Sequence, residues 1–356
     1  MAYTNIDDPS AYFQTGLYTG TGSELAITND GNSNLQPDWI WIKNRTDAST
    51  NHHAHDTSRG TTATLFVNKN DAEETQSQSV KSVQSDGFTL GTWDGNNISS
   101  KNFVAWQWKA NGGTTASNSV GNITSTVQAN PSAGFSIVTY TGNGVQTGKT
   151  VGHGLGAVPK MIISKDRGAT SNVPNWRVYH EAIGNTKYLT LDTTAAAGTY
   201  NDWDNTTPTS TVYSVGGAGG YTPTNTNNAN YVAYVFADVQ GYSKFGKYVG
   251  NGNANGPFVY TGFKPAFLIV KKSSDTGNWL LYDNKGESGN LIGDYFYPNL
   301  ANAESGQTTN GYDFLSNGFK VRNVYGDGNV NGQTFIYMAF AENPFTTSTG
   351  IPTTAR

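Results

Sequence analysis

The sequence predicts an all-β protein: three tandem antiparallel β-sandwich domains of jelly-roll type, generated by an internal triple repeat. Three observations lead there. Glycine alone accounts for 42 of the 356 residues and aromatic residues for 12%, while charged residues reach only 13%. Gly and Asn tolerate the backbone of tight turns, and Thr, Tyr, Val, Ile and Phe suit a pleated surface. No stretch sustains an i, i+3, i+4, i+7 apolar stripe for three turns without a Gly or Asn breaking it. Finally, one pattern of anchors occurs three times in the same order.

Each copy opens with an aromatic residue and a glycine turn: Tyr18-Thr19-Gly20, Tyr140-Thr141-Gly142 and Tyr248-Val249-Gly250. A proline follows 19, 19 and 17 residues later, then a spacer, an apolar run and a lysine: Pro37 to Lys43, Pro159 to Lys165 and Pro265 to Lys271. A short strand then ends at a polar pair, His55-Asp56, Tyr179-His180 or Tyr282-Asp283. Copies one and three share Asn-x-x-x-Ala-Glu, ending at Glu73 and Glu304, and a later turn-strand at Asp86-Gly87-Phe88 and Asn317-Gly318-Phe319. Copy two is looser, with Asp192 to Ala196-Ala197 and Val212 to Val215. An aromatic-rich strand closes each copy, beginning at Phe103, Tyr231 and Phe335.

A pitch of about a hundred residues is too long for a solenoid unit and long enough for a domain with its own core. The expected division is 1–110, 134–240 and 241–345 for the three domains. Residues 111–133 read as a Gly/Thr/Ser-rich linker or exposed excursion, and 346–356 as a polar tail. Within the closing strand, Phe103, Ala105 and Gln107 lie on one face and Val104, Trp106 and Trp108 on the other. Bulk on both faces predicts a second cover: a neighbouring domain, loop or subunit.

Composition also excludes function classes. High aromatic content with low charge is the reverse of disorder. A net charge of −4 lacks the basic surplus of a nucleic-acid binder, and no apolar run approaches the length that spans a bilayer. Zero cysteine removes disulfides, thiolate zinc and thiol catalysis. Residues Met1–Asp8 show neither the basic nor the apolar region of a Sec signal.

As a set, Asp38 to Arg45 (DWIWIKNR), Asp56 to Gly60 (DTSRG), Asp86 to Gly91 (DGFTLG) and Phe103 to Ala110 (FVAWQWKA) resemble the concanavalin A-like, lectin-type repeats of tailed-phage virion proteins, especially those of marine phages. The resemblance covers residues ~10 to 345; copy two departs most, lacking Asp-x-x-Arg-Gly and Ala-Glu. It implies a lectin-like fold and a virion structural protein: tail fibre, appendage or head decoration. Other virion proteins would be its partners, host-surface glycan its contact, and the virion, assembled in the host cytoplasm, its location. It implies no catalytic residue.

Several clusters suggest chemistry. His52, His53 and His55 look like a metal site, but in an extended chain neighbouring side chains point to opposite faces, and packing is the reading adopted. Gly152-His153-Gly154-Leu155-Gly156 lacks the Lys-Ser/Thr of a phosphate loop and reads as a turn. Oxygen-rich segments 94–97, 201–205 and 326–331 could offer calcium ligands but miss EF-hand spacing, and turn chemistry is preferred. Glu73 and Glu304 could form a glycosidase pair, yet their repetition argues for structure. Trp93, Trp106, Trp108, Trp176, Trp203 and Trp279 could stack on sugars, though burial is the commoner fate. The chain is therefore expected to be non-enzymatic, without cofactor or metal; the virion resemblance implies a homotrimer, since fibres and capsid axes favour three-fold contacts.

Overall fold

A computed structural model describes residues 4–168, 175–287, 289–324 and 326–353. The protein is nearly all antiparallel β. One strand order occurs in each of three units. The opening strands are Phe13–Thr19, Phe135–Thr141 and Ser243–Val249. Each pairs with its closing strand, Asn102–Trp108, Asn230–Phe236 or Thr334–Pro344. The closing strand pairs on its far side with the strand that follows or contains the proline, Trp39–Asn44, Met161–Asp166 or Phe263–Lys272. That strand in turn pairs with the one bearing the polar pair, His53–Asp56, Arg177–His180 or Trp279–Asp283. Register is shared as well: Trp39 faces Trp108, Met161 faces Phe236 and Phe267 faces Phe340.

A smaller antiparallel sheet covers the outer face of each large one. It is built on Gly87–Leu90 in the first unit, Val212–Val215 in the second and Gly318–Val321 in the third. Between the layers lie three separate apolar clusters, around Phe88 and Phe103, Tyr213 and Tyr231, and Phe319 and Phe335. The inner faces do something different. Val104, Trp106 and Trp108 join Val232, Tyr234 and Phe236 and Ile336, Met338 and Phe340 in one shared core. Trp39 stacks on Tyr234 at 4.2 Å, Phe13 on Phe340 at 5.3 Å, and Phe236 meets Phe340 edge-on at 6.0 Å. The second cover predicted for the closing strands is thus the neighbouring units.

Residues 111–133 are not simply a connector. Ser125–Asn130 pairs antiparallel with Phe135–Thr141, and Ala116–Asn118 pairs outside it, extending the second sheet. Composition suggested a linker because the segment is polar; its ordering comes from main-chain pairing and from Gln128, which bonds the Thr57 and Ser58 hydroxyls, each at 2.9 Å. The tail beyond 345 is anchored too, since the Ser348 N–H donates to Asp7 at 2.7 Å.

Candidate functional site

Three seams join the units: first with third, second with first and third with second. Trp106 Nε1 donates to the Asp283 carboxylate at 2.9 Å, and the Tyr234 hydroxyl to Asp56 at 2.8 Å. At the third seam Met338 has nothing to donate, and the acid is replaced by His180, whose Nε2 donates to the Tyr337 carbonyl at 3.1 Å. The lysine after each apolar run sends its ammonium across a seam to a main-chain carbonyl: Lys43 to Ala301, Lys165 to Asn70 and Lys271 to Thr194, at 3.1, 3.0 and 3.2 Å. Burial pulls each of these ammonium groups down to about 8. The Trp176 and Trp279 indoles donate to the Phe66 and Thr190 carbonyls, both at 2.9 Å.

The candidate carboxylates belong to the same seams. Glu73 is held by Arg59 at 2.6 Å and Arg167 at 2.8 Å, and Glu304 by Arg45 at 2.7 Å. They occupy different seams and do not face one groove. Main-chain bonds lie beside them, Glu73 to Arg167, Glu304 to Arg45 and Ala197 to Ser273.

The histidine cluster is internal. Asn96 links two of the rings, its Oδ1 accepting from His53 Nδ1 at 2.7 Å and its Nδ2 donating to His55 Nε2 at 3.1 Å. His52 Nδ1 accepts from the Trp41 indole at 3.0 Å, and its ring approaches the Tyr297 backbone. Burial lowers all three, His53 to about 4 and His55 to about 3. His153 is buried, accepts from the Leu155 N–H at 3.3 Å and faces the Thr209 carbonyl. In segment 201–205, Asp202 lies 3.6 Å from Arg177 and Asp204 accepts from the Gly148 N–H at 2.6 Å. Asp327 accepts twice from Asn278, at 3.0 Å each. Among the described residues no group of three His, Asp or Glu side chains could hold a metal ion. Trp106, Trp108, Trp176, Trp203 and Trp279 are buried, and Trp93 is half-buried against His53.

The outward-facing architecture rests on three buried asparagines. Asn97, Asn225 and Asn329 accept from the N–H of Thr21, Asn143 and Asn251 at 2.8, 2.9 and 2.9 Å. Their amides donate back to loop carbonyls, Gly91, Val145 and Asn253 among them. The hydroxyls of Tyr18, Tyr140 and Tyr248 reach the same segments, at the carbonyls of Asn96, Thr224 and Gly328. This explains the repeated Tyr-x-Gly. A Cβ on Gly20, Gly142 or Gly250 would sit 2.2, 2.3 or 2.3 Å from a carbonyl oxygen. Two of these asparagines fall inside the calcium candidates 94–97 and 326–331. The third, Asn225, lies outside 201–205; the signal it shares with the other two is spacing, since each asparagine stands six residues before the closing-strand aromatic.

Two of the surface clefts bear on the site. One, of about 470 Å3, is lined by Tyr260, Phe345, Gln240, Lys244, Asp238 and Thr261, with Tyr260 61% exposed. The other, of about 490 Å3, lies between the first and third units beside Phe13, Gln14 and Thr15.

Fold and site together define an all-β protein of three sandwiches closed into a ring, with buried lysines, arginines and carboxylates engaged across its seams. Residues 8–344 match the family described as Domain of unknown function (DUF7483), and the chain belongs to it. No curated protein and no solved structure matches the chain.

Proposed function

We propose that this chain is a non-enzymatic structural protein of a bacteriophage virion, a tail fibre or outer appendage that contacts glycan on the host surface. The virion assignment rests on the sequence resemblance. The observation that carries the glycan contact is the Tyr260 cleft. An exposed aromatic face beside amide, hydroxyl, ammonium and carboxylate groups suits a sugar ring, which offers C–H faces and hydroxyls together. Glu73 and Glu304, held in separate ion pairs, support a non-catalytic reading. The test is binding of purified protein to host cells and a glycan array, with Tyr260→Ala as control. Loss of binding in the variant supports the reading; absence of binding together with stoichiometric attachment to capsids overturns it. Release of oligosaccharide from host envelope would point instead to a depolymerase.

A head-decoration role is the second reading, favoured by the three-membered ring, which lets one chain sit on a three-fold position. Copy number per particle separates the two. Because one chain already closes the ring, a homotrimer would join whole chains through their outer surfaces; size-exclusion chromatography with light scattering reads that association.

A further inference from the structure

The three seams are built alike but are not filled alike. At the seam of the second unit with the first, Ser125–Asn130 lies along the opening strand, with Gln128 opposite Ile137 and Asn130 opposite Phe135. The same segment touches the first unit through Thr57, Ser58 and Ala110. At the seam of the third unit with the second, the junction itself closes the edge. Val239 and Ser243 exchange main-chain bonds, the Phe245 N–H donates to Asp238 at 3.0 Å, and Lys244 pairs with Asp238. At the seam of the first unit with the third, the corresponding place is the 490 Å3 cleft.

The correspondence is residue by residue. Phe13 and Thr15 stand where Phe135 and Ile137 stand, and Asn284, Lys285 and Glu342 where Thr57, Ser58 and Ala110 stand; all five line the cleft. Phe13–Thr19 is an outermost strand of its sheet. Its even-numbered residues bond the closing strand, as the flanking bonds Lys109 to Tyr12 and Gly20 to Lys101 require, so the N–H groups of Thr15 and Leu17 face outward. The strand carries no charge and no proline, and Leu17 is 40% exposed. Proteins commonly protect such an edge with lysine, a bulge or a cover, and the third unit's strand does carry Lys244 and Lys247. The Thr15 hydroxyl is buried without a hydrogen-bond partner among the described residues and lines the cleft.

We infer that this cleft binds an extended segment of a partner polypeptide, which adds to the sheet antiparallel to Phe13–Thr19 as Ser125–Asn130 does in the second unit. The Lys285–Asp30 ion pair, at 2.7 Å, lines the cleft. With Lys285 paired to Asp30 and Glu342 to Lys264, the walls are neutral and suit an uncharged segment. This inference is independent of the glycan reading.

The test uses the full chain and a capped peptide of residues 123–130, Ile-Thr-Ser-Thr-Val-Gln-Ala-Asn. Saturable binding is expected, with slowed hydrogen exchange at Thr15 and Leu17. N-methylation at the peptide's Thr126 and Gln128 positions should weaken it at least ~10-fold, the equivalent of one lost hydrogen bond. Leu17→Pro removes an outward donor at an edge position that tolerates proline and should weaken binding similarly, while Lys247→Ala leaves it unchanged. Absence of saturable binding overturns the inference. So does binding indifferent to both N-methylation and Leu17→Pro, or protection confined to Phe135–Thr141. Should Leu17→Pro fail to fold, the methylated peptide still decides.

Discussion

The Tyr234 hydroxyl of the second unit donates to Asp56 of the first at 2.8 Å, and that carboxylate also binds Arg59 at 2.6 Å. Arg59 reaches on to Glu73, which binds Arg167 of the second unit. A chain of alternating charge therefore crosses the seam, with the Arg59 side chain fully buried.

Arg59→Leu should be among the most destabilising single changes in the protein. It leaves Asp56 buried without its cation, a loss of about 3–5 kcal/mol. Tyr234→Phe removes one bond to a charged group and should cost about 1.5–3 kcal/mol. Denaturant midpoints measure both, and equal losses would contradict the geometry.

Gly142→Ala should destabilise because its Cβ would lie 2.3 Å from the Thr226 carbonyl oxygen, and the displaced loop must give up its bonds to Asn225. A cost of about 1–3 kcal/mol is expected. Asn225→Ala should produce a similar loss, and hydrogen exchange should quicken at Asn143 in both variants. Unchanged exchange there would remove the clamp from the account.

Stability should fall on acidification. Burial lowers all five histidines, His53 and His180 to about 4 and His55 to about 3. Below about 6.5 the unfolded chain binds protons that the folded rings refuse, so stability declines as pH drops from about 6.5 toward about 4. Asp192 and Asp202, raised to about 6 by burial, act in the opposite sense over part of that range, as do Asp38, Asp166, Asp283, Asp294 and Glu304, which burial raises as well. His52, His53, His55 and His180 are shifted most strongly, so a net loss of stability follows. Chemical unfolding at a series of pH values checks it; a flat profile would not fit.

Unfolding should occur in one transition. Because Trp108, Phe236 and Phe340 share a core, no unit can keep its inner face covered alone. The excised second unit, 134–240, should aggregate or remain unfolded, while the whole chain melts with coincident near-ultraviolet and calorimetric signals. Three separable transitions would show that the outer clusters suffice.

Much of this was legible in the residues. The Tyr-x-Gly turns, the runs after Pro37, Pro159 and Pro265 and the closing strands lie where their patterns place them, because each anchor makes a local demand on backbone or pleat. Alternation in Phe103–Trp108 showed two apolar faces; it could not show that Trp106 meets Asp283, since that depends on how distant units meet. The strand Ser125–Asn130 stayed hidden because its stability comes from edge pairing and Gln128, not from its own composition. Asn225 was obscured by a Thr/Asn-rich neighbourhood in which one amide looks like any other.

Position 273 offers a last lesson. Where Arg45 and Arg167 reach Glu304 and Glu73, the remaining seam joins Ser273 to Ala197, with both ionic partners absent together. Installing arginine at 273 alone, or glutamate at 197 alone, would place an unmatched charge against the seam, whereas the double replacement would recreate a salt bridge. A charge is accepted at one site only with its partner at the other, so ionic substitutions here should travel in couples through descent.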